Sequence, residues 1–511
     1  MELFKWQREC LVAWEKHGCR GIVNVVTGAG KTVLALAAMD RWLKGHPGGM
    51  VKIVVPTIPL AHQWKTALRH HVDRDALRPG FFGGGARDGD DTQVMIYIVN
   101  SARQALSTHV RRALSLNRAV LLICDECHHY QSPQNRRIFD FLTPGVLAGG
   151  LYACLGLSAT PFGGEDDGLL MRALGEEIYR YGFEAAVGEG ILSPFVVCET
   201  AVSFLPEERM EYARLSSEII RTLAVLEQEY PGLLRLGRQK FMRAVSRLAH
   251  AAGMDSDDPS ARFLRLTYER KQVTSLARSR VACGMALLSR LCEGDRVLIF
   301  CERIVQAEEM VARIRRRWGD GRCALYHSEM TAQARANSMR AFREGGARVL
   351  VSCRCLDEGV DVPEANIGIV LSGSAVSRQR IQRMGRILRR APGKDTACLY
   401  YLYVREASED AAFLPRLDSC DSFSLRYYSL EDTFSNELYE YAAGDLLNRA
   451  REARWEDDWL SELRRCLEEC LTRADCLLPV ETLESRARTA KTKHARNYLR
   501  AMQGMSRAFH E

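Results

Sequence analysis

Short apolar runs that alternate with helical patterns constrain the fold of this chain more than any other feature. The first group of runs is GIVNVVT, KIVVPT, VMIYIVN, AVLLICDE and ACLGLSAT, and the second is VVCETAVSF, RVLIFCE, CALYHS, RVLVSCR, NIGIVLSG and ACLYYLYV. Short strands that alternate with helices are typical of parallel sheets covered by helices on both faces. The sequence therefore predicts an α/β fold with two parallel-sheet domains.

The length of 511 residues exceeds what one ordinary hydrophobic core holds, so more than one domain is expected. We predict a first domain over residues 1–185 and a second over residues 186–410. Helical periodicity over about residues 206–292 interrupts the strand pattern of the second domain, and we interpret it as a helical insertion. After residue 410 the strand runs stop, and residues 411–511 are predicted to form a charged helical C-terminal region.

The charge of the chain fits a polyanionic partner, although many proteins with the same balance bind none. The formal net charge is +7 and the isoelectric point is about 8.6. The stretch SRARTAKTKHARNYLRAMQGMSRAF near the end of the chain contains no acidic residue. We predict that it binds nucleic acid, with an acidic protein partner or a solvated helix as alternatives.

No apolar run reaches 18 residues, and the N-terminal MELFKWQREC lacks the basic-then-apolar order of a secretory signal. We therefore expect a cytoplasmic protein that does not contact a membrane. Many of the 17 cysteines, such as Cys154 and Cys301, lie inside apolar strand patterns and are expected to be reduced and structural. Two groups have spacings worth testing for metal, but neither has a complete ligand pattern. They are Cys124 with Cys127, and Cys466 with Cys470 and Cys476.

The stretch VVTGAGKT leads from a strand into an alanine-rich helix through a turn of small residues. Such a turn directs backbone N–H groups at one point, where the positive end of the helix dipole favours a phosphate. Gly28 and Gly30 allow the backbone to close around the anion, Lys31 adds a positive charge, and Thr32 offers a hydroxyl to Mg²⁺. Val25 stands where the full phosphate-loop pattern has its first glycine, so this signal is weaker than the complete motif.

Asp125 and Glu126 end a fully apolar strand. From that position one carboxylate can hold Mg²⁺ and the next can orient and deprotonate an attacking water. Two adjacent acids also occur in solvated loops. Their combination with an upstream phosphate loop favours the catalytic interpretation.

The stretch RQRIQRMGRILRR follows a strand of the second group. Gln382, Arg383, Arg386 and Arg389 lie at spacings that place them on one side of a helix. A solvated helix face and a nucleic-acid patch are the alternatives to a catalytic role. A guanidinium next to a γ-phosphate would stabilise the charge that develops in phosphoryl transfer.

Together these stretches resemble the motifs of the superfamily 2 helicases and translocases of the DExH type, which have two RecA-like domains. TGAGKT resembles motif I, VPTIPLAHQW motif Ia, DECH motif II and SAT motif III, while VLIFCE, LDEGVDVP and QRMGRILR resemble motifs IV, V and VI. All seven occur in the order of that superfamily and cover about residues 1–405. The resemblance implies two RecA-like domains that bind ATP and Mg²⁺ and hydrolyse ATP.

The resemblance also implies a role for individual residues. Gln7 would read adenine, although a plain helix-surface position is an alternative. Glu126 would activate water, Arg386 and Arg389 would act as arginine fingers, and Gln382 would lie near the γ-phosphate. The implied nucleotide-binding residues are Gln7, Thr27, Gly28, Ala29, Gly30, Lys31, Thr32, Gly359 and Asp361. The implied Mg²⁺ ligands are Thr32 and Asp125, and the residues that would couple hydrolysis to domain motion are His128, Ser158 and Thr160.

The residues expected to contact the nucleic-acid backbone are Thr57, Gln63 and Ser101 in the first domain and Ser352 in the second. Capping of a strand end is an equally weighted alternative for each. The forms of motifs Ia and V resemble the DNA-acting RadD-, XPB- and UvsW-like branch, so DNA is favoured over RNA. Too few residues separate motifs V and VI for the strand-separating hairpin of the DEAH-type RNA helicases, which leaves a duplex translocase as an alternative to a strand separator.

The second class of function that fits these motifs is an ATP-gated clamp that binds nucleic acid and recruits a partner without moving along it. No nuclease motif is recognisable, so any cutting would come from a partner protein such as a nuclease. DNA repair and antiviral defence both use motors of this type, and the sequence does not distinguish between them.

Overall fold

Two sheets organise the part of the chain that the computed structural model describes. The described residues are 2–71, 79–162, 167–193, 195–289, 291, 294–353, 365–373, 397–408 and 424–425, together with 443–444, 446–448, 450–468, 480–490 and 492–510 near the C-terminus.

The first sheet has eight strands. They are β1 (Arg20–Val25), β2 (Met50–Val55), β3 (Gly80–Gly83), β4 (Ala86–Arg87), β5 (Val94–Ile98), β6 (Val120–Asp125), β7 (Tyr152–Ser158) and β8 (Glu177–Tyr181). Their order is β4-β3-β5-β2-β6-β7-β1-β8, and every pair is parallel except β3 with β4. Strands β2, β5, β6 and β7 are buried along their whole length, because helices cover both faces of the sheet.

Seven α-helices accompany the first sheet. They are α1 (Lys5–Lys16), α2 (Lys31–Gly45), α3 (Ile58–His71), α4 (Val99–Ser115), α5 (Pro144–Ala148), α6 (Asp167–Leu174) and α7 (Phe183–Gly188). Short 3₁₀ helices span Cys127–Gln131 and Asn135–Phe139. Alternation of parallel strands with covering helices matches the expected α/β class.

The second sheet has seven strands in the order β11-β12-β10-β13-β14-β9-β15. They are β9 (Phe195–Val202), β10 (Val297–Cys301), β11 (Cys323–Tyr326), β12 (Val349–Cys353), β13 (Ile367–Val370), β14 (Ala397–Val404) and β15 (Ser424–Leu425). All of their pairings are parallel. Every apolar run quoted from the sequence contributes a strand to one of the two sheets. Strands β3, β4, β8 and β15 were not expected, because they are short or carry polar residues that weaken the apolar pattern.

Four helices fill the chain between β9 and β10. They are α8 (Pro206–Glu229), α9 (Arg238–Ala252), α10 (Pro259–Ser275) and α11 (Arg278–Leu288), with a 3₁₀ turn at Leu233–Arg235. Helices α8 to α10 share a small hydrophobic core of their own, formed by Leu215, Ile219, Leu226, Val245, Phe263 and Leu266. Helix α11 instead packs into the core of the second sheet through Val281 and Leu287. We call residues 206–275 the helical module.

The remaining helices are α12 (Ile304–Trp318), α13 (Ala332–Arg343), α14 (Asp457–Glu468), α15 (Val480–Thr489) and α16 (Lys493–His510), with a 3₁₀ turn at Asp320–Arg322. Leu463, Leu483 and Met502 of the last three helices are buried in the same cluster as strands of the second sheet. The described C-terminal helices therefore pack with that sheet.

Within the described residues, no helix combines the length and apolar character needed to cross a membrane. The same residues contain no cluster of three or more His, Cys, Asp or Glu side chains that could hold a metal ion. Cys124 and Cys127 are buried free thiols. The side chain of Cys466, and all of Cys470 and Cys476, lie outside the described residues.

Candidate active site

A turn of small residues connects the end of β1 at Val25 to the start of α2 at Lys31. Gly28 and Gly30 have φ angles of 91° and 96°, in a region that favours glycine because a Cβ atom is strained there. The turn ends at the N-terminus of a 15-residue helix, where unpaired backbone N–H groups and the helix dipole favour an anion. The predicted phosphate loop therefore has the backbone shape that a phosphate needs.

Gln7 of α1 supports this loop. Its Nε2 donates to the carbonyl oxygen of Gly30 at 3.0 Å, and its Oε1 accepts from the backbone N–H of Phe4 at 2.9 Å. The neighbouring Trp6 stacks on Tyr181 with ring centroids 4.9 Å apart. Gln7 is only 1% exposed, so it is not the surface position considered as an alternative. Its role in reading adenine stays a prediction.

Lys31 and Glu126 form a mostly buried ion pair. Lys31 Nζ lies 3.1 Å from Glu126 Oε1, and their side chains are 10% and 14% exposed. Burial alone would raise the pKa of the Glu126 carboxyl, but the charges of Lys31 and His128 outweigh it and lower the pKa below its ordinary value. Glu126 is therefore a carboxylate at neutral pH, able to accept a proton.

Asp125 lies at the end of β6 and is 4% exposed. Its Oδ2 accepts from the indole N–H of Trp64 at 2.7 Å, and its Oδ1 accepts from the backbone N–H of Glu126 at 3.0 Å. Burial and the adjacent negative charge of Glu126 raise the pKa of Asp125 to about 6. A nearby divalent cation would favour the charged form of this carboxylate.

Glu126 has a φ of 46°, an uncommon value for a residue other than glycine. This backbone conformation leads from the strand directly into the 3₁₀ helix at Cys127–Gln131. Backbone strain of this kind is concentrated at functional sites, because surrounding contacts must hold it in place.

Polar contacts connect Glu126 to the end of β7. His128 Nδ1 lies 2.9 Å from Ser158 Oγ and 3.5 Å from Glu126 Oε2. The backbone N–H of Thr160 donates to the same Ser158 oxygen at 3.0 Å. The three residues predicted to couple hydrolysis to motion are thus one connected group that reaches Glu126.

The order of strands explains why these residues meet. Strand β7 lies between β1 and β6, and all three are parallel, so their carboxyl ends share one edge of the sheet. Asp125 pairs in register with Leu157, and Asn24 pairs with Ser158. The phosphate loop, the two acids and the Ser158–Thr160 segment therefore surround one point at that edge.

The residues fit the expected ATP and Mg²⁺. The hydroxyl oxygen of Thr27 is buried in the loop, and no described residue provides it with a hydrogen-bond partner. Thr32 follows Lys31 in the first turn of α2, and Asp125 offers carboxylate oxygens across the site. Hydroxyl and carboxylate oxygens are ligands that Mg²⁺ accepts. Thr32 and Asp125 would hold the ion.

The expected nucleic-acid contacts are distributed over both sheets. Thr57 directly precedes α3, Gln63 lies in the middle of it, and both are half-buried. Ser101 is half-buried in the first turn of α4. The Thr57 hydroxyl accepts from Leu60 N–H at 3.4 Å, a long contact of the capping type. Ser352 lies within β12 and is 1% exposed, so its hydroxyl is beneath the surface. The four contacts stay predictions.

The predicted residues of motifs V and VI lie outside the described residues. They are Gly359, Asp361, Gln382, Arg386 and Arg389. Their part in the site rests on the sequence motifs.

Trp64 is a site residue that the sequence analysis did not single out. Its apolar ring has the helical spacing of core residues such as Leu60 and Leu68, all three of which are buried. The available signal was its position directly after Gln63 in the motif Ia stretch. Nothing in the local pattern indicated that its N–H would reach Asp125, which is 61 residues away.

Two family models match the chain. The model "Type III restriction enzyme, res subunit" matches residues 1–163, and the model "Helicase conserved C-terminal domain" matches residues 283–391. The first range contains the phosphate loop, the two acids and the Ser158–Thr160 segment. The second contains the stretches that resemble motifs IV, V and VI.

Two proteins named as a DNA translocase and a DNA helicase have sequences similar to most of this chain. The DNA 3'-5' translocase XPB2 of Sulfurisphaera tokodaii is 29% identical, over 80% of this chain and 83% of the relative. The DNA 3'-5' helicase XPB of Kineococcus radiotolerans is 23% identical, over 81% of this chain and 63% of the relative. This chain thus spans less than two thirds of the second protein.

Among solved structures, the ATP-dependent Type ISP restriction-modification enzyme LlaBIII bound to DNA has a similar fold. Its TM-score is 0.50 at 18% identity, and the match covers 88% of this chain and 30% of that chain. This likeness concerns the fold alone.

Together with the family models and the geometry of the site, the similarities show that the chain belongs to superfamily 2 of the helicases and translocases, whose members hydrolyse ATP.

Proposed function

We propose that this protein is a DNA-stimulated ATPase that moves along DNA, either as a strand-separating helicase or as a duplex translocase. The observation that carries the proposal is the meeting of Lys31, Asp125 and Glu126 at one edge of the first sheet. The two curated relatives described above are named as DNA 3'-5' motors, which supports DNA as the polymer.

The ion pair between Lys31 and Glu126 suggests how binding and hydrolysis are connected. A γ-phosphate that enters the loop attracts Lys31 and competes with Glu126 for its ammonium group. Glu126 is then free to accept a proton from the attacking water. Thr32 and Asp125 would hold Mg²⁺, which would supply positive charge to neutralise the phosphates. Arg386 and Arg389 of motif VI would stabilise the same charge from the second domain.

Release of the γ-phosphate would then be sensed through His128, which lies within reach of both Glu126 and Ser158. A change at this connected group is suited to altering the contact between the two domains. Repeated closing and opening, with each domain holding the DNA backbone, would produce movement.

The helical module offers a surface for the polyanion. Lys240, Arg243 and Arg247 are exposed and lie along one side of α9, at i, i+3 and i+7. No acidic residue occurs between positions 230 and 254. Cations on a backbone-binding surface make affinity fall steeply with salt, whatever the base sequence.

The test is ATP hydrolysis measured with single-stranded DNA, duplex DNA, forked DNA and RNA, each over a series of lengths. We expect DNA to stimulate turnover more than RNA does, and the stimulation to rise with DNA length. Stimulation by RNA alone would contradict the DNA assignment. Stimulation that does not depend on DNA length would indicate an ATP-gated clamp instead of a motor.

A nuclease partner, a cytoplasmic location and a role in DNA repair or antiviral defence stay proposals that rest on the sequence.

A further inference from the structure

Trp64 makes a contact that a core residue does not require. The indole ring belongs to α3 and is fully buried, and its N–H donates to Asp125 Oδ2 at 2.7 Å. This bond connects a helix that follows β2 with the last residue of β6, the acid expected to hold Mg²⁺. Hydrogen bonds to a charged acceptor are short and about twice as strong as those between neutral groups.

The bond orients the Asp125 carboxylate without blocking it. A carboxylate has about four lone-pair sites on its two oxygens. Trp64 occupies one site on Oδ2, and the backbone N–H of Glu126 occupies one on Oδ1. Each oxygen therefore keeps a lone pair for another ligand, while the two donors define the plane of the group.

Another buried tryptophan of the same domain shows what a purely structural indole does. Trp14 is 1% exposed, and its N–H donates to the backbone carbonyl of Cys154 at 2.9 Å. That acceptor lies in β7 near its amino end. Both indoles satisfy a buried donor, but only the bond from Trp64 ends on a group of the candidate active site.

Besides the Trp64 bond and the pairing of β2 with β6, a tyrosine hydroxyl links the β2–α3 segment to the acids. The hydroxyl of Tyr130 lies 2.9 Å from the carbonyl oxygen of Val54 and 2.7 Å from that of Asp125, and its one proton is shared between these two acceptors. Thr57 lies three residues after Val54, and Gln63 directly precedes Trp64. Both are residues for which we predict contact with the nucleic-acid backbone. A displacement of α3 must therefore alter the contacts of Asp125.

We propose that Trp64 is a positioning residue that orients Asp125 for Mg²⁺ and transmits the binding of DNA at α3 to the ATP site. The second half of this inference rests on the proposed function. The first half concerns only the site within the first domain and does not depend on the polymer.

The first test compares Trp64→Phe with the matched control Trp14→Phe, because each variant loses one buried indole bond and keeps an aromatic ring. The readout is binding of a fluorescent, non-hydrolysable ATP analogue at increasing Mg²⁺ concentration, which requires no turnover. Loss of a hydrogen bond to a ligating group typically weakens metal affinity about 10- to 100-fold. We expect the half-saturating Mg²⁺ concentration to rise by about 10-fold in Trp64→Phe and to stay unchanged in Trp14→Phe.

An unchanged Mg²⁺ dependence in Trp64→Phe would overturn the positioning role. Melting temperatures of both variants show whether each protein is folded. If Trp64→Phe does not fold, 3-benzothienylalanine in place of Trp64 removes the N–H at nearly constant shape. The same increase in the Mg²⁺ requirement is expected.

The second test measures the ratio of DNA-stimulated to basal ATP turnover at saturating Mg²⁺. Coupling between two sites typically changes affinity by about 5-fold or more, so we expect the ratio to fall by about 5-fold in Trp64→Phe and to be kept in Trp14→Phe. If the ratio of DNA-stimulated to basal turnover in Trp64→Phe equals that of the parent, the transmitting role is refuted. If no nucleic acid stimulates the parent protein, the proposed function and the transmitting role both fail. The Mg²⁺ test still decides whether Trp64 positions Asp125.

Discussion

Glu126 and Glu302 have similar local settings in the two sheets. Each directly follows a strand at the carboxyl edge, after β6 and β10 respectively, and each is paired with a lysine. Lys31 Nζ lies 3.1 Å from Glu126, and Lys271 Nζ lies 2.6 Å from Glu302. Yet the surroundings of the two pairs differ. Those of Glu126 suit a ligand site, whereas those of Glu302 suit a structural contact between a helix and the second sheet.

Around Glu126 the polar groups leave room for a ligand. Lys31 begins a helix behind two left-handed glycines, and the hydroxyl of Thr27 has no partner among the described residues. The N-terminus of the helix adds N–H groups that only an anion or water can satisfy. The lysine of this pair can therefore exchange its carboxylate for a phosphate.

Around Glu302 the polar groups satisfy each other. Ser275 Oγ donates to Glu302 Oε2 at 3.2 Å, and the backbone N–H of Glu302 donates to Ser372 Oγ at 2.9 Å. Gln306 Nε2 donates to the carbonyl oxygen of Ser275 at 2.8 Å, at the end of α10. This closed network fastens the helical module to the second sheet. Buried acids thus indicate a ligand site only where nearby donors are left without partners.

The largest expected effect follows from Glu126→Gln. The amide cannot accept the proton of the attacking water, and loss of a general base lowers turnover by about 10²–10⁴-fold. We expect binding of ATP to persist, because Lys31 and the loop are intact. The measurement is ATP turnover together with nucleotide affinity.

Glu302→Gln is the control for that change, since it makes the same substitution at a lysine-paired acid that follows a strand of the second sheet. Its turnover should remain close to that of the parent. A comparable loss of turnover in both variants would contradict the distinction between a ligand site at Glu126 and a structural contact at Glu302.

Lys271→Met is expected to have the next largest effect, on stability rather than on chemistry. It leaves the buried Glu302 without a cation, and breaking a buried pair costs about 3–5 kcal/mol. We expect about 3 kcal/mol, because the Lys271 side chain is itself 38% exposed. Thermal melting measures the loss, with Lys44→Met, whose pair is exposed, as the control. Unchanged melting would show that the network does not hold the helical module.

The smallest effect concerns Lys52, a buried cation of β2 outside both networks. Burial lowers its pKa to about 8, although Asp90 partly opposes the shift. The ordinary lysine pKa is about 10.4, so the unfolded chain binds the proton more strongly. Stability should therefore rise with pH between about 8 and 10.4, by about 3 kcal/mol at most.

Lys52→Met should remove this alkaline rise and leave ATP turnover unchanged, because the amine bonds the backbone oxygen of Asp90 at 3.0 Å and not the site. Melting temperatures of parent and variant at pH 8 and pH 10 test the sign. If the melting temperatures of parent and variant change equally between pH 8 and pH 10, Lys52 keeps its proton in the folded protein over this pH range.

Much of the site could be predicted from local sequence. A strand followed by TGAGKT and a strand that ends in Asp125 and Glu126 each carry their chemistry within a few residues, because the shape of the loop depends on neighbouring glycines. The helical tendency of residues 206–292 was recognisable in the same way. The division between a module with its own core and α11 in the core of the second sheet was not, because it depends on distant packing partners.

The sequence alone determined the class of fold, the phosphate loop and the pair of acids, since strand and helix periodicity and turn chemistry are properties of adjacent residues. Only the tertiary structure decided which side chains meet. Lys31 reaches Glu126 across 95 residues and Trp64 reaches Asp125 across 61, because the strand order β2-β6-β7-β1 brings those segments to one edge. The same folding closed the network around Glu302, which gives two similar acids different roles.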